Sequence, residues 1–186
     1  VLRSLLNPVF ETVGIGDNTV IRESEAGSTV LVNEDGKPIN IQLYPSGRAF
    51  LVANQSTETV IDTQGEWYEI AGTWEAAHLN YLTHDGSGGL TYEGDVTTQT
   101  EYQVGGSYIS PSNNAQYEIA MFKDGSIKDR TVISFSPPRQ DERLSLPSIF
   151  GFTDTTTSGM RHSVRVRCTS GMTNITIPAL SFTLRG

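Results

Sequence analysis

Apolar residues in this chain recur at every second position, in runs too short and too often interrupted to form helices. Tyr102, Val104 and Tyr108 share one parity, with Gln103, Gly105 and Ser107 on the other. Tyr117, Ile119 and Met121 alternate with Gln116 and Glu118, and His162, Val164, Val166 and Cys168 alternate with Ser163, Arg165 and Arg167. Successive side chains of a strand point to opposite faces, so each run predicts a half-buried antiparallel strand with one dry side. No Ala/Leu/Glu/Lys-rich stretch competes for a helix. The chain is expected to be all-β.

Turn residues divide the runs. Glu25-Ala26-Gly27, Glu34-Asp35-Gly36-Lys37-Pro38 and Pro45-Ser46-Gly47-Arg48 separate four short apolar segments, Val20-Ile21, Thr29–Val32, Ile39–Leu43 and Ala49–Val52. Glycine supplies positive φ there, and Asp or Ser bonds the local backbone. These segments predict a small N-terminal β module, closed at a polar boundary over 54–58. The expected division is 1–57, an arm with an anchoring module, and 58–186, a larger β domain. Strands are expected near 59–62, 67–73, 78–84, 89–94, 101–110, 116–123, 127–136 and 161–184. The stretch 137–160 reads as irregular, with Pro137, Pro138 and Pro147 excluding a helix.

The final segment holds two parities. Ile175 and Ile177 share one, and Leu180, Phe182 and Leu184 share the other. Either the strand changes register at a bulge near Pro178, or both of its faces are buried, one against another subunit.

Charge and composition exclude several functions. A net charge of −8 opposes nucleic-acid binding, which draws affinity from a basic face. No apolar run reaches the length of a membrane-spanning helix, so no membrane insertion is expected. The single cysteine, Cys168, cannot close an intrachain disulfide and alternates with apolar residues as a buried small hydrophobe would. Together with the broken apolar start, Val1 to Phe10, this suits assembly in a reducing cytoplasm. Leu2, Leu5, Leu6, Val9 and Phe10 are candidate contacts of an anchoring arm.

No catalytic motif is present. Ser87 in Asp85-Gly-Ser-Gly-Gly89 has the wrong glycine spacing for a nucleophile elbow, and that loop reads as a hairpin turn. His78, His84 and His162 fall in no common motif and are expected to have structural or surface roles. Glu93 with Asp95, and Glu66 with Glu69, are acidic pairs without other support for glycoside hydrolysis. Asp124, Ser126 and Asp129 lie close in sequence, but Lys123-Asp124-Gly125-Ser126 reads as a tight turn and not as a cation loop. No enzyme activity, metal or cofactor is expected. Arg161, Arg165 and Arg167 form a basic stripe, expected to be a solvated face or to pair with carboxylates on a neighbouring strand, the alternative being contact with an acidic neighbour such as a capsid shell or polysaccharide.

Trp67 to Trp74 (WYEIAGTW), Gly89 to Gly94 (GLTYEG), Tyr102 to Ser110 (YQVGGSYIS), Asn113 to Ser126 (NNAQYEIAMFKDGS) and Val164 to Leu184 together resemble the C1q/TNF-like jelly rolls of phage structural proteins. Tyr92, Tyr117, Ile119, Met121, Lys123, Asp124, Gly125 and Asn174 to Ile177 occupy the motif positions, and the likeness spans about 65–186. It implies a jelly-roll β-sandwich that forms a homotrimer, with aromatic and aliphatic side chains along the threefold axis. Phe122 shares its strand face with Glu118 and Ala120, a progression suited to an interface edge. Phe122, Ala120, Leu180 and Phe182 are the candidate trimer-interface residues. The function implied is a virion structural protein, a capsid decoration (head fibre or spike) or tail accessory. It would be assembled in the host cytoplasm and bound to other virion proteins such as the major capsid protein. The alternative is a module gripping a host receptor or surface glycan through loops 84–89, 111–115 and 137–160.

Overall fold

The computed structural model describes residues 20–23, 29–32, 44–53, 56–94 and 97–186. Two compact units divide the chain, 1–43 and 44–186. In the first, β1 (Val20–Glu23) pairs antiparallel with β2 (Thr29–Val32), Val20 opposite Val32. The strand expected over 39–43 and the arm residues Leu2, Leu5, Leu6, Val9 and Phe10 lie outside the described residues.

The second unit begins with β3 (Ser46–Leu51), β4 (Glu58–Thr59), β5 (Tyr68–Glu69), β6 (Trp74–Asn80), β7 (Leu82–His84) and β8 (Leu90–Tyr92). It continues through β9 (Thr98–Ile109), β10 (Tyr117–Lys123), β11 (Ser126–Ile127), β12 (Ile133–Phe135) and β13 (Leu144–Ser145). β14 (Ile149–Thr156), β15 (Arg161–Cys168) and β16 (Ile175–Arg185) complete it. One sheet has the order β9–β16–β3–β6, with β13 and β14 beside β9 and β4 beside β16. The other runs β11–β10–β15–β8–β7, with β12 beside β10 and β5 beside β15. From β8 onward the principal strands alternate between sheets: β8, β10 and β15 in one, β9, β14 and β16 in the other. That wrapping of two antiparallel sheets is a jelly roll. Among the described residues the protein is built of strands with one 3-10 turn, and its larger unit is a jelly-roll β-sandwich.

The alternating residues form its core. Tyr102, Val104 and Tyr108 of β9 face inward, as do Tyr117, Ile119 and Met121 of β10 and Val164, Val166 and Cys168 of β15. The turn at Asp124-Gly125 has φ of 48° and 74°, both positive as a two-residue hairpin of the primed type requires, and it returns β10 into β11. Gly88 serves another need. Its φ is +86°, and a Cβ there would lie 2.6 Å from the Trp74 indole, so the loop before β8 closes only over a bare backbone.

Three boundaries differ from the sequence expectation. β3 belongs to the sandwich, with Ala49 opposite Phe182 and Ala76, so the units divide at 43/44 rather than at 57/58. The stretch 137–160 contains β13 and β14, which pair with β9. β14 escaped notice because a bulge at Gly151 (φ 75°) breaks its alternation and a threonine-rich run follows. The span 127–136 is interrupted by a 3-10 turn, Asp129–Thr131. In β16 the pairing with β9 shifts register between Thr176 and Ala179, around Pro178. That shift puts Ile175, Ile177, Leu180, Phe182 and Leu184 on one buried face, which resolves the two parities in favour of the bulge.

Candidate functional site

The four side chains expected at a trimer interface lie inside the single chain. Leu180 and Phe182, 2% and 0% exposed, are part of the core between the sheets. Ala120 and Phe122 point to the other side of β10, yet they too are covered. Trp67 meets the Phe122 ring edge-on at 5.4 Å, and the Arg165 guanidinium lies 4.6 Å over the same ring. The bulge turned Leu180 and Phe182 inward, and the loop before β5 brought Trp67 over β10. These four residues present no free surface.

The outer face of the β10–β15 sheet is closed by charge pairing. Arg161 binds Glu69 at 2.7 Å and Asp85 at 2.5 Å, Arg165 binds Glu69 at 3.2 Å, and Arg167 binds Glu118 at 2.6 Å while its guanidinium stacks 4.5 Å over Trp67. The basic stripe is thus paired with carboxylates and is not a bare solvated face. Burial alone would raise the pKa of Asp85, but hydrogen bonds from the Ser87 and Gly89 amides and from Arg161 bring it down to about 2. The Asp85–Gly89 loop is a hairpin tied by its own aspartate, with His84 opposite Leu90. Among the acidic pairs, Glu69 is held between two arginines, Glu93 accepts a hydrogen bond from Thr83, and Asp95 lies outside the described residues.

The outer face of the opposite sheet differs in kind. Gln103, Gly105 and Ser107 of β9 alternate with the buried core residues, and Ser181, Thr183 and Ala179 of β16 lie beside them. Phe50 of β3 is opposite Ser181, with Arg48 stacked 4.8 Å over its ring. Phe150 of β14 is opposite Gln103 and 66% exposed, held outward just before the bulge at Gly151. Small residues, Gly105, Ser107, Ala179 and Ser181, form the middle of this face; around them Arg185 donates to Gln103 and Arg143 to Ser107, and Phe150 stands at the edge. Sequence reasoning missed Phe150 because the whole segment read as irregular. The available signal was the Ile149-Phe150 pair, which on any strand sends one apolar residue inward and one outward.

A buried polar group bridges the two sheets. His162 of β15 is fully buried, its Nδ1 3.1 Å from the Tyr102 hydroxyl and its Nε2 3.3 Å from Thr156 Oγ1, which lies 2.7 Å from Thr100 Oγ1. Nearby, Lys123 and Lys128 converge on Asp154 at 2.8 and 2.5 Å, tying β14 to the β10–β11 hairpin and the residue that follows it. Burial is the main cause that depresses the His162 pKa to about 4, and the Lys123 ammonium adds to it. Burial raises the Tyr102 hydroxyl well above its ordinary value. Of the other histidines, His78 is exposed at φ 56° and His84 is half-buried.

No protein-family model matches the chain, and no curated protein matches it in sequence. Among solved structures it is similar to murine APRIL at pH 5.0, at 12% identity and a TM-score of 0.44, over 75% of this chain and 98% of that one. It is similar to Pika GITRL at 10% identity and a TM-score of 0.34, over 76% and 94% of the two chains. A family 35 carbohydrate binding module from Clostridium thermocellum matches at 8% identity and a TM-score of 0.30, over 72% and 90%. The jelly-roll assignment rests on this chain's own strand order and register.

Proposed function

We propose that this chain is a non-enzymatic structural protein of a virus particle, assembled in the host cytoplasm. In this reading the jelly roll forms a homotrimer, and the N-terminal region attaches it to other virion proteins such as the major capsid protein. The contrast between the two outer faces supports self-association. One is occupied by the Arg161–Arg167 ion pairs, while the other has small residues, Gly105, Ser107, Ala179 and Ser181, at its middle and Phe150 at its edge. Small side chains let a partner approach closely, and interfaces that hold obligate oligomers bury roughly 2,000 Å² or more. The virion assignment is supported by the resemblance over residues 65–186 to phage jelly rolls. Three anchors on one trimer raise each other's effective concentration, so weak docking on a particle becomes durable attachment.

Phe150→Asp tests the surface. Burying most of a phenylalanine is worth about 2–3 kcal/mol, and a buried unpaired carboxylate adds a penalty, so the trimer should dissociate at concentrations where the wild type stays assembled. The melting temperature of the dissociated subunit should be unchanged, because the side chain lies outside the core. An assembly unaffected by this change would remove the β9–β16 face from the proposal. Removing residues 1–43, which spares every strand of the sandwich, should keep the oligomer and abolish its attachment to particles.

A further inference from the structure

A cleft of about 400 Å³ opens between the 3-10 turn Asp129–Thr131 and β14, lined by Tyr102, Lys128, Asp129, Arg130, Thr153 and Asp154 among others. Its size falls within the range of small-ligand sites. We infer that this cleft binds a neutral saccharide of about one or two rings, held by Lys128, Asp129 and Arg130 on one wall and Thr153 of β14 on the other.

Both walls are held in place before any ligand arrives. Thr131 is buried, accepts a hydrogen bond from the Met121 amide at 2.9 Å and donates one to the Lys128 carbonyl at 2.7 Å. It fastens the turn to β10 and leaves its neighbours Asp129 and Arg130 exposed. Lys128, at the start of the turn, is fixed from the far wall by Asp154 of β14, whose other oxygen accepts from the Thr155 amide. Tyr102 at the base is held by His162. A site positioned by buried supports loses little ordering entropy on binding.

The chemistry of the lining selects the ligand class. Lys128 and Arg130 are matched by Asp129 and Asp154, so the lining carries no net charge, within a chain whose net charge is −8. Such a site does not concentrate anions. An apolar ligand would strip water from four charged groups and return no hydrogen bonds. A sugar suits both conditions, because each hydroxyl donates and accepts. Adjacent hydroxyls can donate to the Asp129 carboxylate and accept from the Arg130 guanidinium or the Lys128 ammonium, while the C–H face of the ring rests against half-buried Ile127.

The test uses the full chain with the methyl glycosides of glucose, galactose, mannose and N-acetylglucosamine at millimolar concentration. Saturation-transfer difference NMR reports binding, and calorimetry reports affinity. The expected result is binding of at least one glycoside, insensitive to inorganic phosphate. Asp129→Ala and Arg130→Ala should each weaken it at least tenfold with unchanged melting temperature, since both side chains are exposed on a turn fastened by Thr131. Absence of binding by all four glycosides, binding that both variants retain, or displacement by inorganic phosphate would each overturn the assignment. The solution mass is read separately, so failure of the sugar site leaves the trimer proposal standing, and the reverse.

Discussion

Phe182→Ala is expected to lower the unfolding free energy by about 3–5 kcal/mol, the usual loss when a buried aromatic leaves a cavity in a close-packed core. Phe182 is fully buried and sits on the central strand of its sheet, opposite Val104 on one side and Ala49 on the other. The cavity would open where three strands meet and backbone collapse is restricted by ladders on both sides. Denaturation at two protein concentrations gives the check. A core residue costs the subunit the same stability at both. Earlier dissociation with unchanged unfolding of the subunit would instead place Phe182 at an interface.

The second large effect concerns pH. His162 titrates near pH 4 in the folded chain and near 6.5 when unfolded. Between those values the unfolded state binds more protons, so stability rises with pH across the window and is lost as pH falls from about 6.5 to about 4. At 1.36 kcal/mol per pKa unit the loss is roughly 3 kcal/mol. The groups that set this environment come from three elements: Lys123 and Asp124 at the end of β10, Lys128 after β11, and Asp154 on β14. Asp85 and Asp154 have lowered pKa values, so their contributions are lost in a separate, more acidic window, as pH falls below 3.8. His162→Gln keeps a neutral polar side chain in place of the imidazole. The stability difference between wild type and variant should therefore shift against the wild type by about that amount between pH 7 and pH 4. A difference constant across the window would mean that the imidazole is not held neutral by burial.

These two residues mark what could and could not be read from the chain. Alternation placed Tyr102, Val104, Tyr117, Ile119, Val164 and Val166 in the core because a period of two has only one structural meaning in half-buried strands. His162 was legible as inward-facing for the same reason. Its partners were not, since Tyr102 lies sixty residues away and Thr156 lies in a segment without alternation. Phe182 was placed at an interface because two parities in one strand allow either a bulge or a second buried face. Only the register shift beside Pro178 distinguishes them. Phe122 failed for a related reason: the residues that cover it, Trp67 and Arg165, come from a distant loop and the adjacent strand. Local pattern reports which way a side chain points, and tertiary contacts decide what it meets. The cleft beside Asp129 and Arg130 was equally invisible, because its second wall is the strand that the Gly151 bulge concealed.

The proposed function depends most on self-association through the β9–β16 sheet face. Sedimentation equilibrium at micromolar concentration measures it directly. A trimer gives a single species at three times the 20.3 kDa chain mass. A species of 20.3 kDa that persists across the concentration series would contradict it.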